Sequence, residues 1–99
     1  MITITMHRDK KHRYTGFTIS GHADYDEAGS DIVCAAVSAL SQTALLGLMQ
    51  YASQDVPYEV NDGFLSVQVP KPCEASQIIL GTMVAGLEQI VRQYGEYVV

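Results

Sequence analysis

Cys34 and His22 are the two side chains in this 99-residue chain whose types and spacing best suit nucleophilic chemistry. A thiolate attacks a carbonyl carbon, and an imidazole twelve positions earlier supplies a general base or forms a thiolate–imidazolium pair with it. Cys34 stands in the first turn of an apolar segment with helical character, where unpaired backbone N–H groups favour the thiolate. Asp31, three residues earlier, opposes thiolate formation with its own negative charge, and a protonated imidazole beside the sulfur offsets that. Asp31 is a candidate either to orient the imidazole or to cap the helix. Ser38, one helical turn beyond Cys34 on the same face, is a candidate hydrogen-bond donor near the site. The Cys34 backbone N–H and its helix-start neighbours are the first candidates for oxyanion donors. The same residues also fit a small buried cysteine beside a polar loop histidine, and a lone His and Cys do not separate the two readings.

The elements that must position these groups follow from periodicity. Ile2 and Ile4 alternate with Thr3 and Thr5, and Tyr14 to Ser20 is rich in Thr, aromatic and β-branched residues, so two strands flank a polar turn at 9–12. In the second strand Phe17 and Ile19 share one face, while Thr18, Ser20 and His22 share the other. Residues 21–30, with two glycines and the acids Asp24, Asp26 and Glu27, read as a loop. Ser30 or Asp31 caps a helix that stays apolar to about Tyr51. Its small apolar residues predict burial on more than one side, against the sheet and either a second helix or a second subunit. Pro57 and Tyr58 begin a third strand, Asn61-Asp62-Gly63 is a tight turn, and Leu65, Val67 and Val69 alternate as a fourth. Ile79, Met83, Leu87, Ile90 and Tyr94 recur at helical spacing from about Glu74, Gly95 is a stop, and residues 96–99 are a candidate short fifth strand. The expectation is an α+β fold in the order ββαββα(β). Two β-hairpins form one mainly antiparallel sheet of four or five strands, and both helices cover one face.

Length allows one domain, residues 1–99, and a hydrophobic share of 47% allows a core. A core this small also favours pairing with a second copy. The formal net charge is −5, and the only basic cluster is Arg8, Lys10, Lys11, His12 and Arg13 in the first turn. Phosphate binding needs concentrated Lys and Arg, so direct nucleic-acid binding is not expected and a basic peptide is the better partner. The first residues have no basic leader followed by an apolar stretch, and no uninterrupted apolar run is expected to reach membrane-spanning length. Two cysteines are too few for a disulfide scaffold, which points to a reducing cytoplasm.

The segment Gly21-His22-Ala23, five variable residues, Gly29, Ser30 and then Asp31-Ile32-Val33-Cys34-Ala35, with Ser38 following, resembles the signature of the ribosomal-processing cysteine protease family. Length and element order agree with that family along nearly the whole chain. The resemblance implies a cytoplasmic bacterial cysteine endopeptidase, usually a homodimer. It implies removal of a short N-terminal extension from a large-subunit ribosomal protein precursor, after paired aromatic residues and before a basic stretch. It places the catalytic histidine at His22 and the nucleophile at Cys34. It also makes the segment 23–30 a loop that closes over the peptide, with Asp24, Asp26 and Glu27 attracting lysines and Gly29 supplying hinge freedom. It implies no cofactor and no metal. The alternative function is a non-enzymatic ribosome-associated assembly module, and a third is a thiol hydrolase of another substrate.

Other chemistry-bearing residues fit plainer roles. Cys73 also precedes a helix, but no histidine is near it in sequence; under oxidation it is a partner for a Cys34–Cys73 disulfide. His7 and His12 belong to the solvated turn end of the first hairpin. Three scattered His and two Cys lack zinc-ligand spacing. Tyr51, Tyr58, Tyr94 and Tyr97 are expected at the core edge, and Met49 and Met83 as gap fillers.

Overall fold

The computed structural model describes residues 1–23, 26 and 31–98. Alternating apolar residues form β1 (Thr3–Arg8) and β2 (Tyr14–Ser20), which pair antiparallel with Ile4 opposite Ile19 and Met6 opposite Phe17. The first strand therefore runs further than the Ile2–Thr5 alternation suggests. The turn is held by Asp9, whose carboxylate accepts from the Lys11 and Arg13 backbone N–H groups and from Arg13 Nε, all at 2.9 Å. Helix α1 (Ile32–Tyr51) follows, then β3 (Tyr58–Asn61), β4 (Phe64–Gln68) and α2 (Glu74–Tyr94). The order is the expected ββαββα. The candidate fifth strand is only a single parallel bridge between Ile2 and Val98, because the chain leaves α2 through a turn and offers the sheet one residue.

The sheet runs β1-β2-β4-β3, so the two hairpins join through their inner strands. Phe17 pairs with Val67 and Ile19 with Leu65, and these four are buried on one face. They share one hydrophobic cluster with Val33, Val37, Leu45 and Leu48 of α1 and Leu80, Met83 and Leu87 of α2. Gln77 of α2 ties the second helix to β2, accepting from the Tyr14 N–H at 2.7 Å and donating to the Tyr14 carbonyl at 2.8 Å.

Within the chain helix α1 buries one side only, leaving Ile32, Leu46, Met49 and Tyr51 exposed. Ser38, Ser41, Gln42 and Thr43 interrupt its apolar pattern, yet its 20 residues taken together are long and apolar enough to cross a membrane, by length and composition alone. In this fold its buried side packs in the core.

The tyrosines divide. Tyr94 and Tyr97 pack against the core edge, whereas Tyr51 and Tyr58 are 67% and 54% exposed. Met83 fills the core and Met49 is exposed. Gly95 does end α2, but at φ −61°, so no left-handed cap is involved.

Candidate active site

Three pieces of chain converge where β2 ends. Gly21 leaves the strand at φ +93°, and a Cβ there would lie 2.3 Å from the Met1 carbonyl oxygen, so only glycine makes this exit. The exit puts His22 and Ala23 over the start of α1. There the Ala23 backbone N–H donates to Cys34 Sγ at 3.3 Å. The third piece is the β3–β4 turn, whose Gly63 carbonyl accepts from the Gly21 N–H at 2.8 Å.

The thiol is fixed by the helix that carries it. Asp31 is the N-cap, and its Oδ1 accepts from the Val33 N–H at 2.9 Å and the Cys34 N–H at 3.0 Å. Asp31 takes the cap; Ser30, the other candidate, lies outside the described residues. The same bonds bear on the candidate oxyanion donors. The Cys34 N–H and the Val33 N–H are already committed to a buried carboxylate. The Ala23 N–H, which nothing in the sequence singles out, is instead the backbone donor directed at the sulfur.

His22 is 54% exposed, and its Nε2 lies 4.0 Å from Asp62 Oδ1 in the β3–β4 turn. Among the described residues no hydrogen bond links the imidazole directly to the thiol. Both nevertheless line one groove of about 670 Å³, together with Asp26, Asp31, Ser38 and the segment 60–65. Its floor and walls include Ile19, Val37, Val60, Phe64 and Leu65, giving apolar surface beside the polar groups. Such a mixture accommodates an extended peptide. Of the residues singled out in the sequence, the groove gathers His22, Asp26, Asp31, Cys34 and Ser38. Asp24, Glu27 and Gly29 lie outside the described residues.

Cys73 is elsewhere. It caps α2, its Sγ accepting from the Ser76 N–H at 3.4 Å, and it also approaches the Ala52 carbonyl at the far end of α1. Eighteen helical residues separate Ala52 from Cys34, about 27 Å along the axis. A Cys34–Cys73 disulfide within one chain is therefore excluded, since the two Cα atoms must approach within about 7 Å. The Ser76 backbone hydrogen bond, its hydroxyl and the Ala75 N–H hold the Cys73 thiol below its ordinary pKa, against a smaller opposing effect of desolvation. Among the described residues no group of three or more His, Cys, Asp or Glu side chains is placed to hold a metal ion.

A profile of the cysteine protease Prp family matches residues 1–99. The chain is 35% identical over 100 residues to the ribosomal processing cysteine protease Prp of Staphylococcus aureus, covering 97% of this chain and 93% of that protein. It is 27% identical to the Bacillus subtilis protein of the same name, covering 95% and 90%. Among solved structures, the S. aureus protease Prp with a covalently linked product peptide matches with a TM-score of 0.93 at 29% identity. The same protease with a substrate peptide gives 0.82 at 27%. Both matches cover 100% of this chain and 96% of the other.

Proposed function

Because this chain belongs to the cysteine protease Prp family, we propose that Cys34 is its nucleophile and His22 its general base, within one protease domain spanning residues 1–99. The observation that carries this is the 3.3 Å hydrogen bond from Ala23 to Cys34 Sγ, which fastens the residue next to His22 onto the thiol inside a peptide-sized groove.

The sulfur, as thiolate, adds to the scissile carbonyl carbon. The imidazolium then protonates the departing amine, the C–N bond breaks and a thioester remains. Neutral His22 next takes a proton from water, whose oxygen attacks the thioester and releases the acid and the thiol. Asp31 holds the turn carrying Cys34, and the Ala23 N–H donates directly to its sulfur. Ser38 is a supporting polar group on the groove wall.

The substrate is the N-terminal extension of a large-subunit ribosomal protein precursor, in keeping with the ribosomal processing for which the S. aureus and B. subtilis relatives are named. Lysines beyond the cut suit a chain of net charge −5, with Asp24, Asp26 and Glu27 between histidine and cysteine as the attracting group and Gly29 as a hinge. Neutralising those three acids weakens binding of a Lys-containing peptide and flattens its salt dependence; unchanged kinetics would remove them from recognition. The enzyme works in the cytoplasm, without direct nucleic-acid contact, as a homodimer. The exposed Leu46, Met49 and Tyr51 on α1 supply apolar surface for the second copy. Mass measurement after incubation with the intact precursor tests the whole reading. Wild-type protein releases the extension, and Cys34→Ala and His22→Ala, folded by circular dichroism, release none. Full-rate cutting by Cys34→Ala would end it.

A further inference from the structure

We infer that the β3–β4 turn, through Asp62 and Gly63, is the device that positions the His22 imidazole. This rests on the proposed His22–Cys34 pair and adds to it the group that holds the base. In the sequence Asp31 is the candidate for orienting the imidazole; in the structure it caps α1 through Oδ1, and the carboxylate within 4.0 Å of the ring is that of Asp62. The turn meets His22 in three ways. The Gly63 carbonyl accepts the N–H of Gly21, fixing the backbone immediately before the histidine. The imidazole lies against Gly63, where a Cβ would stand 2.6 Å from Nε2 and 3.1 Å from Cε1. Gly63 sits at φ +69°, so both its conformation and the ring above it demand glycine. Finally, the Asp62 carboxylate is 4.0 Å from Nε2.

This arrangement divides the ring's two nitrogens. With Nε2 facing Asp62, Nδ1 is left for the thiol, and the carboxylate together with Gly63 holds the ring in that orientation. Asp62 is itself 98% exposed, so the pair is weak in open water and strengthens as a bound peptide displaces solvent from the groove. Asp62 is thus a positioning residue, acting through His22.

The test uses the full chain in a Cys73→Ser background, so that iodoacetamide reports Cys34 alone, with alkylation rate followed against pH. Among the described residues, the titratable groups lining the groove with His22 are Asp26, Asp31, Cys34 and Asp62. Asp62→Asn, at an exposed turn position that tolerates either residue, is expected to slow alkylation at neutral pH by no more than about twofold while the groove is open to water, and to show its main effect in cleavage, where the peptide excludes solvent. Asp62→Glu restores most of the rate. In peptide cleavage Asp62→Asn lowers kcat and leaves KM unchanged, and Gly63→Ala lowers kcat further. Asp55→Asn, which removes a charge away from the groove, changes neither assay. If Asp62→Asn matches wild type in both assays, or alters KM alone, the positioning role is wrong while the catalytic pair stands. His22→Ala distinguishes the two levels: a profile unchanged in that variant would overturn the pair itself.

Discussion

Replacing Asp31 by alanine removes the acceptor for two backbone donors at once, the N–H groups of Val33 and Cys34. The carboxylate is buried, so water does not readily take its place. Loss of an N-cap costs about 0.5–2 kcal/mol, and a hydrogen bond to a charged acceptor is worth about 1.5–3 kcal/mol. A destabilisation of about 2 kcal/mol is therefore expected. In a domain of this length each kcal/mol moves the midpoint by about 4–8 °C, so Tm falls by about 10 °C at fixed protein concentration. Asp31→Asn keeps an oxygen in place, ranks equally as a cap, and stays within about 0.5 kcal/mol of wild type. Cleavage by the alanine variant falls by more than the stability loss explains, because the freed turn carries Cys34, the proposed nucleophile, and a displacement of about 1 Å costs roughly 100-fold. Thermal unfolding followed by circular dichroism, beside peptide cleavage well below Tm, measures both. An alanine variant that melts with wild type but no longer cleaves would refute the capping argument, since Asp31 would then act on the reacting groups themselves.

Gly81 lies inside α2, and a methyl group added there would meet nothing within 4 Å, so Gly81→Ala should raise stability by about 0.5–1 kcal/mol in thermal unfolding and leave cleavage unchanged. Leu46→Glu places a charge on the exposed apolar side of α1, and sedimentation should show it shifting the proposed dimer toward monomer relative to wild type. The Cys73 thiol is depressed in the folded chain, so its contribution is full above the unfolded value near 9.0 and is lost as pH falls through the lower folded value. Tm of wild type relative to Cys73→Ser should therefore rise between neutral pH and about pH 9. Cys73 is a second free, half-buried thiol, so thiol reactivity identifies Cys34 alone only after Cys73 is replaced.

The strands and helices are legible in the sequence because their periodicities are unmixed. Phe17 and Ile19, Leu65 and Val67, and the Ile79–Met83–Leu87 series each mark a buried face that the structure retains. The Gly-His-Ala and Asp-Ile-Val-Cys spacing likewise leads to two side chains that line one groove. What the sequence hides depends on contacts between distant segments. Nothing local in Asn61-Asp62-Gly63 says that the turn reaches His22, because their meeting follows from β2 pairing with β4. Nor does the motif reveal that the Cys34 N–H is taken up by Asp31, since cap and orienting carboxylate look alike in one dimension. Tyr58 departs from expectation for a related reason: it stands on the core-facing side of β3, at the sheet edge, where it stays exposed.

The inner-strand junction of the two hairpins also governs when the enzyme can first act. His22 and Cys34 both belong to the first half of the chain, yet residues 60–65 of the groove come from the second. While the chain is still emerging during translation, His22 and Cys34 exist without that wall, and the groove is complete only once the fourth strand has been made. Long-range strand pairing of this kind is the slow, late event of folding. A fragment ending before residue 58 should therefore be inert, a delay that spares newly made neighbours from premature cutting.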